Sequence, residues 1–63
     1  MKQGIIATIL TEINNYIDLG NDAIKRGCEH ESMQWYRKGL SLSVEAKNKV
    51  KEREISALLI TLM

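Results

Sequence analysis

The chain has 63 residues, 44% of them hydrophobic, and a formal net charge of +1. That length admits one domain, and a chain so short buries only about 60% of the surface it exposes when unfolded. A charge so near neutral speaks against general nucleic-acid affinity, the single cysteine excludes an internal disulfide, and the absence of proline suits long helices rather than a β fold with many turns.

A monomer of this size has little margin of stability, and small chains find it in disulfides, metals or partners. Self-association or docking on a larger protein is the expected remedy. The lone cysteine fits an intracellular, cytoplasmic setting. Lys2 followed by the apolar Ile5–Leu10 faintly resembles a signal peptide, but Glu12, Asn14 and Asn15 follow at once, without a small-residue cleavage site. The C-terminal ISALLITLM is too short to span a bilayer, which needs about 20 apolar residues. The chain opens on Met1 with no tag and reads as a complete small open reading frame.

The first predicted element is a helix from Lys2 to about Arg26. Ile6, Leu10, Ile13, Ile17, Gly20, Ile24 and Gly27 recur at alternating spacings of four and three. Ile9, Tyr16 and Ala23 widen this stripe, and Thr11, Asn14, Asn15, Asp18, Asp22 and Lys25 lie opposite. That is an amphipathic helix with one buried face. Gly20 costs about 1 kcal/mol in a helix interior, yet the stripe continues in phase through it to Ile24. Gly20 therefore reads as a close-packing position; the alternative is a turn that splits the helix there. Gly27 ends the helix, preceded by Lys25 and Arg26, cations that suit a helix C-terminus.

The second helix starts between Glu29 and Ser32, with acidic residues in its first turn. Met33, Trp35, Tyr36, Gly39, Leu40, Leu42, Val44, Ala46 and Val50 cover an arc of about 200°, wide enough for two neighbours. Beyond it the pattern slips. Lys51, Arg53 and Glu54 would fall on the apolar arc, and Ile55 and Leu59 on the polar one. The chain is expected to break between Lys49 and Glu54, with a short third helix from about Arg53 to Met63. The predicted fold is all-α, an antiparallel helical hairpin with a short third helix forming a small three-helix bundle. The alternative has two long helices that dimerise as a four-helix bundle.

The centre of the chain resembles a tetratricopeptide repeat. Tyr16-x₂-Leu19-Gly20 stands at the start, Gly27 in the turn, Ser32 at the small position, Tyr36 at the second aromatic and Gly39 at the next small position. Ala23 stands where an aromatic is usual, the terminal proline is missing, and there is one copy. Lys25-Arg26-Gly27 followed by Trp35-Tyr36-Arg37-Lys38-Gly39-Leu40 is also similar to the MIT domain, a three-helix relative of that repeat. The resemblance implies a small helical bundle that binds short helical tails of partner proteins, typically in membrane-remodelling machinery. The third helix, which normally borders the binding groove, is short here.

No constellation demands catalysis. Cys28-Glu29-His30-Glu31 holds the only metal-ligand types in one cluster, and two ligands in one turn fall short of a closed zinc site, which wants four. A symmetric dimer sharing Cys28 and His30 is the one arrangement that would complete it. A polar turn at the helix start is the plainer reading, so no metal, cofactor or catalytic residue is assigned. The basic run Lys47, Lys49, Lys51, Arg53 is interleaved with Glu45, Glu52 and Glu54, and Glu45 with Lys49 is a favourable i,i+4 pair. Mixed signs describe a solvated face rather than a phosphate-binding strip.

Tyr36 is expected in the core and Trp35 near a second interface, since adjacent helical residues point about 100° apart. Ile55, Leu58, Leu59, Ile60 and Leu62 form an apolar surplus that a short bundle cannot bury on all sides, and such patches mark contacts. The reading is a non-enzymatic protein–protein interaction module that binds itself, another protein or both. Its candidate contact residues are Trp35, Leu42, Ile55, Leu58, Leu59 and Leu62. Its size suits a small regulator or inhibitor of a larger machine. A structural subunit or homo-oligomeric bundle, and a nucleic-acid-binding hairpin, are the alternatives.

Overall fold

The structure, a computed structural model, describes residues 2–63, with side chains from residue 8 onward. Three helices follow one another: α1 (Lys2–Lys25), α2 (Glu29–Glu45) and α3 (Lys49–Leu62). α2 is the middle helix. It packs against both neighbours, whereas α1 and α3 hardly meet.

α1 runs unbroken through Gly20, as its stripe predicts. The reason is steric. A Cβ on Gly20 would overlap the edge of the Tyr36 ring, with Cδ1 at 2.5 Å. The missing side chain is thus the hole into which Tyr36 fits. Ile13, Ile17 and Ala23 are buried along the same face, but Leu10 and Ile24, predicted members of the stripe, stay more than a third exposed. Ile6 lies outside the described side chains.

α1 ends as expected at Gly27, whose φ of +80° lies in the left-handed region that favours glycine. The Gly27 N–H donates to Ile24 O (2.9 Å) and the Cys28 N–H to Ala23 O (2.8 Å), the paired bonds that close a helix C-terminus. Cys28 occupies the N-cap of α2 without a side-chain hydrogen bond, and Glu29 and Glu31 follow in the first turn, where carboxylates complement the helix dipole.

The second turn departs from expectation. The chain breaks at residues 46–48, and α3 begins at Lys49, four residues before the predicted Arg53. Asn48 is the device that makes this possible. Its side chain accepts the Lys51 N–H at 3.1 Å and caps the new helix. The break also separates Glu45 from Lys49, so these two form no i,i+4 pair; Lys51 instead reaches Glu54 at 3.1 Å within α3. One long second arm does not occur.

The core is the cluster Ile13, Ile17, Tyr36 and Ile55, with Ile9, Leu40, Leu42, Leu58, Leu59 and Leu62 packed partly against it. Ile55 sits over Gly39, where an added Cβ would lie 3.2 Å from Ile55 Cδ1 and 3.3 Å from Tyr16 Cβ. Tyr36 over Gly20 and Ile55 over Gly39 repeat one rule, a large side chain seated on a glycine sixteen residues upstream. Ser32 and Ser43 are fully buried on α2. Ser43 Oγ donates to Gly39 O at 2.8 Å, and Ser32 Oγ is without a hydrogen-bond partner. Val44, Ala46 and Val50, predicted on the apolar arc of the second helix, are exposed instead.

Candidate interaction surface

Trp35 lies half-buried on the flank of α2 that faces α1. Its ring stacks on Tyr16, centroid to centroid 5.9 Å at 22°. Lys38 Nζ stands 4.8 Å from the Trp35 centroid, close enough for a cation–π attraction. The indole N–H donates to Glu31 Oε2 at 3.3 Å. Arg26 Nη2 donates to the same oxygen at 2.7 Å and Arg26 Nε to Asp22 Oδ2 at 3.1 Å.

These contacts form a chain from the last turn of α1 to the aromatic pair. The Arg26 hydrogen bond, and after it the Trp35 N–H, holds the Glu31 carboxyl below the usual carboxylate range. Arg26 is raised in turn, chiefly by its hydrogen bond to Glu31. The charged partners Arg26, Asp22 and Glu31 are open to water, so the ion pairs serve mainly to orient side chains. What they orient is Trp35.

An open hollow of about 240 Å³ continues along this flank, lined by Glu12, Tyr16, Lys38, Ser41, Leu42 and Glu45. Trp35 and Leu42, two of the predicted contact residues, thus border one face, joined there by Tyr16 and Lys38. A second cleft, about 110 Å³ and almost wholly apolar, lies between α1 and the second turn, lined by Ile9, Leu10, Ile13, Ala46 and Asn48. No local pattern signals it, since it exists only because the chain turns at 46–48.

On α3 the predicted residues divide. Ile55 is fully buried and belongs to the core, which corrects its assignment to a contact surface. Leu58, Leu59 and Leu62 are half-buried against that core. The most exposed apolar side chains of α3 and its end are Val50 (74%), Ile60 (66%) and Met63 (85%). Val50 and Ile60 stand five residues to either side of Ile55, about 140° away from it at 100° per residue.

Cys28 is partly buried, its thiol 4.0 Å from Arg26 O. No group of three or more His, Cys, Asp or Glu residues among the described ones is placed to hold a metal ion. No helix of the described residues is long and apolar enough to cross a membrane. No family model, curated protein or solved structure matches the chain.

Proposed function

We propose that this chain is a non-enzymatic protein–protein interaction module. The observation that carries the reading is the distribution of its apolar side chains. Among the described residues five hydrophobic ones are buried: Ile13, Ile17, Ala23, Tyr36 and Ile55. Seven large ones are exposed: Leu10, Leu19, Ile24, Val44, Val50, Ile60 and Met63. Exposed large apolar groups in that number leave so small a chain short of cover, and a partner supplies it.

The shape agrees. The radius of gyration is 11.7 Å, against about 10.6 Å for a compact domain of this length. The accessible surface is 4624 Å², against about 4,100 Å² for a compact monomer of this mass. The contact residues proposed are the half-buried Trp35 and Leu42 on α2 and Leu58, Leu59 and Leu62 on α3, with the exposed Val50, Ile60 and Met63 on and just after the same last helix. The resemblance to MIT-type hairpins points to a helical segment of another protein as the ligand. A small regulator or inhibitor of a larger assembly is the role that suits this size.

The reading is tested by placing a photo-crosslinking side chain at position 35, and a control at Arg53, in extracts of the native host. One discrete adduct from position 35, lost with Leu42→Asp while circular dichroism stays helical, is the expected result. Equal labelling from both positions, or none, refutes it.

A further inference from the structure

The two turns of this chain share one hydrogen-bond pattern, displaced by twenty residues. Gly27 N–H to Ile24 O and Cys28 N–H to Ala23 O close the first. Lys47 N–H to Val44 O and Asn48 N–H to Ser43 O close the second, at 3.0 and 2.9 Å. The residue that takes the left-handed conformation differs. In the first turn it is Gly27, which has no Cβ to clash. In the second it is Lys47, with φ +57°, a conformation that L side chains adopt at a cost.

The apolar contact that commonly seals such a turn also differs. It lies between the residue after the left-handed one and the residue that accepts its N–H. The first turn pairs Cys28 with Ala23; the second pairs the polar Asn48 with Ser43. The α1–α2 turn is therefore relaxed, and the α2–α3 turn is strained.

From this difference we propose that the chain exchanges α3 with a second copy of itself. Several features favour that exchange. The strained turn is three residues long, contains neither glycine nor proline, and its Ala46 is already helical (φ −80°, ψ −3°). Rotating Lys47 out of the left-handed region opens it. α3 packs chiefly on α2 and reaches the α1 side of the core through Ile55, so it leaves as a unit.

Its contacts are regained unchanged on the second copy. Ile55 seats on the Gly39 of the other chain, and Ile55 of the other chain seats on this Gly39. The opened turn keeps a non-helical residue at Lys47, because a helix continuous from Gly39 to Ile55 would turn the two about 160° apart. Short hinges under strain are the usual origin of such exchange. A net charge of +1 sets no electrostatic barrier between copies.

The exchange is independent of the exposed face assigned above, because it uses contacts already inside the fold. Light scattering after gel filtration, from micromolar to millimolar chain, tests it. The expected result is a concentration-dependent dimer with the monomer's helix content. Lys47→Gly relieves the strain and raises the dimer dissociation constant by about tenfold per hinge, or about a hundredfold per dimer. Lys47→Ala, which keeps a Cβ in the left-handed region, leaves it nearly unchanged. Deleting Lys47 makes the turn too short to close and drives the chain to dimer. A monomer at every concentration in both the parent and Lys47→Ala overturns the proposal. So does a dimer whose dissociation constant is the same with Lys47→Gly; that result assigns association to the exposed faces instead.

Discussion

Replacing Gly20 by alanine reverses the usual sign of that substitution. In an exposed helix interior, Gly→Ala stabilises by about 0.5–1 kcal/mol, because alanine loses less backbone entropy on folding. At Gly20 the added methyl overlaps the Tyr36 ring, whose Cδ1 and Cζ lie 2.5 and 3.0 Å from the new atom. The ring has little room to yield. It is fully buried, and its hydroxyl donates to Asn21 Oδ1 at 2.5 Å.

Overpacking of this kind costs about 1–3 kcal/mol, and at this separation the upper half of that range applies. Subtracting the propensity gain leaves a net loss of about 1–2 kcal/mol. A chain of this length has a total stability of only about 3–9 kcal/mol. Urea unfolding followed by circular dichroism at 222 nm measures the difference, with Gly39→Ala as the comparison. There the new atom meets the flexible end of Ile55 at 3.2 Å and Tyr16 Cβ at 3.3 Å, a milder crowding, and the change is expected to be smaller than at Gly20. Gly20→Ala equal to or more stable than the parent would refute the reasoning, because it would mean that Tyr36 does not depend on that hole.

Three further outcomes follow from the same geometry. Ile55→Ala is expected to cost about 2–5 kcal/mol in urea unfolding, as a cavity in the core, whereas Val50→Ala is expected within about 0.5 kcal/mol of the parent because Val50 is 74% exposed; equal effects would place Ile55 on a surface after all. Ser32→Ala is expected to stabilise by about 1 kcal/mol, since the hydroxyl is buried without a partner, and a loss of stability in differential scanning calorimetry would reveal a partner for it.

Because the folded state holds the Glu31 carboxyl below its ordinary range, its contribution is present above the unfolded pKa and fades as pH falls through the lower folded value. Trp35 fluorescence should shift over that acidic window in the parent and stay flat in Glu31→Gln. An identical titration in both proteins would detach Glu31 from Trp35.

The helical class, the first helix and its end at Gly27 were legible because each rests on local physics. A 3.6-residue stripe marks a helix whatever it packs against, and a left-handed residue without a Cβ marks its end. Tyr36 and Trp35 could be assigned to different environments from their angular separation alone. The apolar surplus of the last helix was legible in outline, and Asn48, a residue type that caps helices, stands where that helix begins.

Other features were decided by tertiary contact. Ser32 and Ser43, polar by type, are buried because α2 lies between two neighbours and is covered from both. Ile55 goes inside and Val50 and Ile60 outside because the break falls at 46–48, which sets the rotation of α3. Periodicity shows that a helix has two faces; only the neighbour that reaches it determines which one is covered.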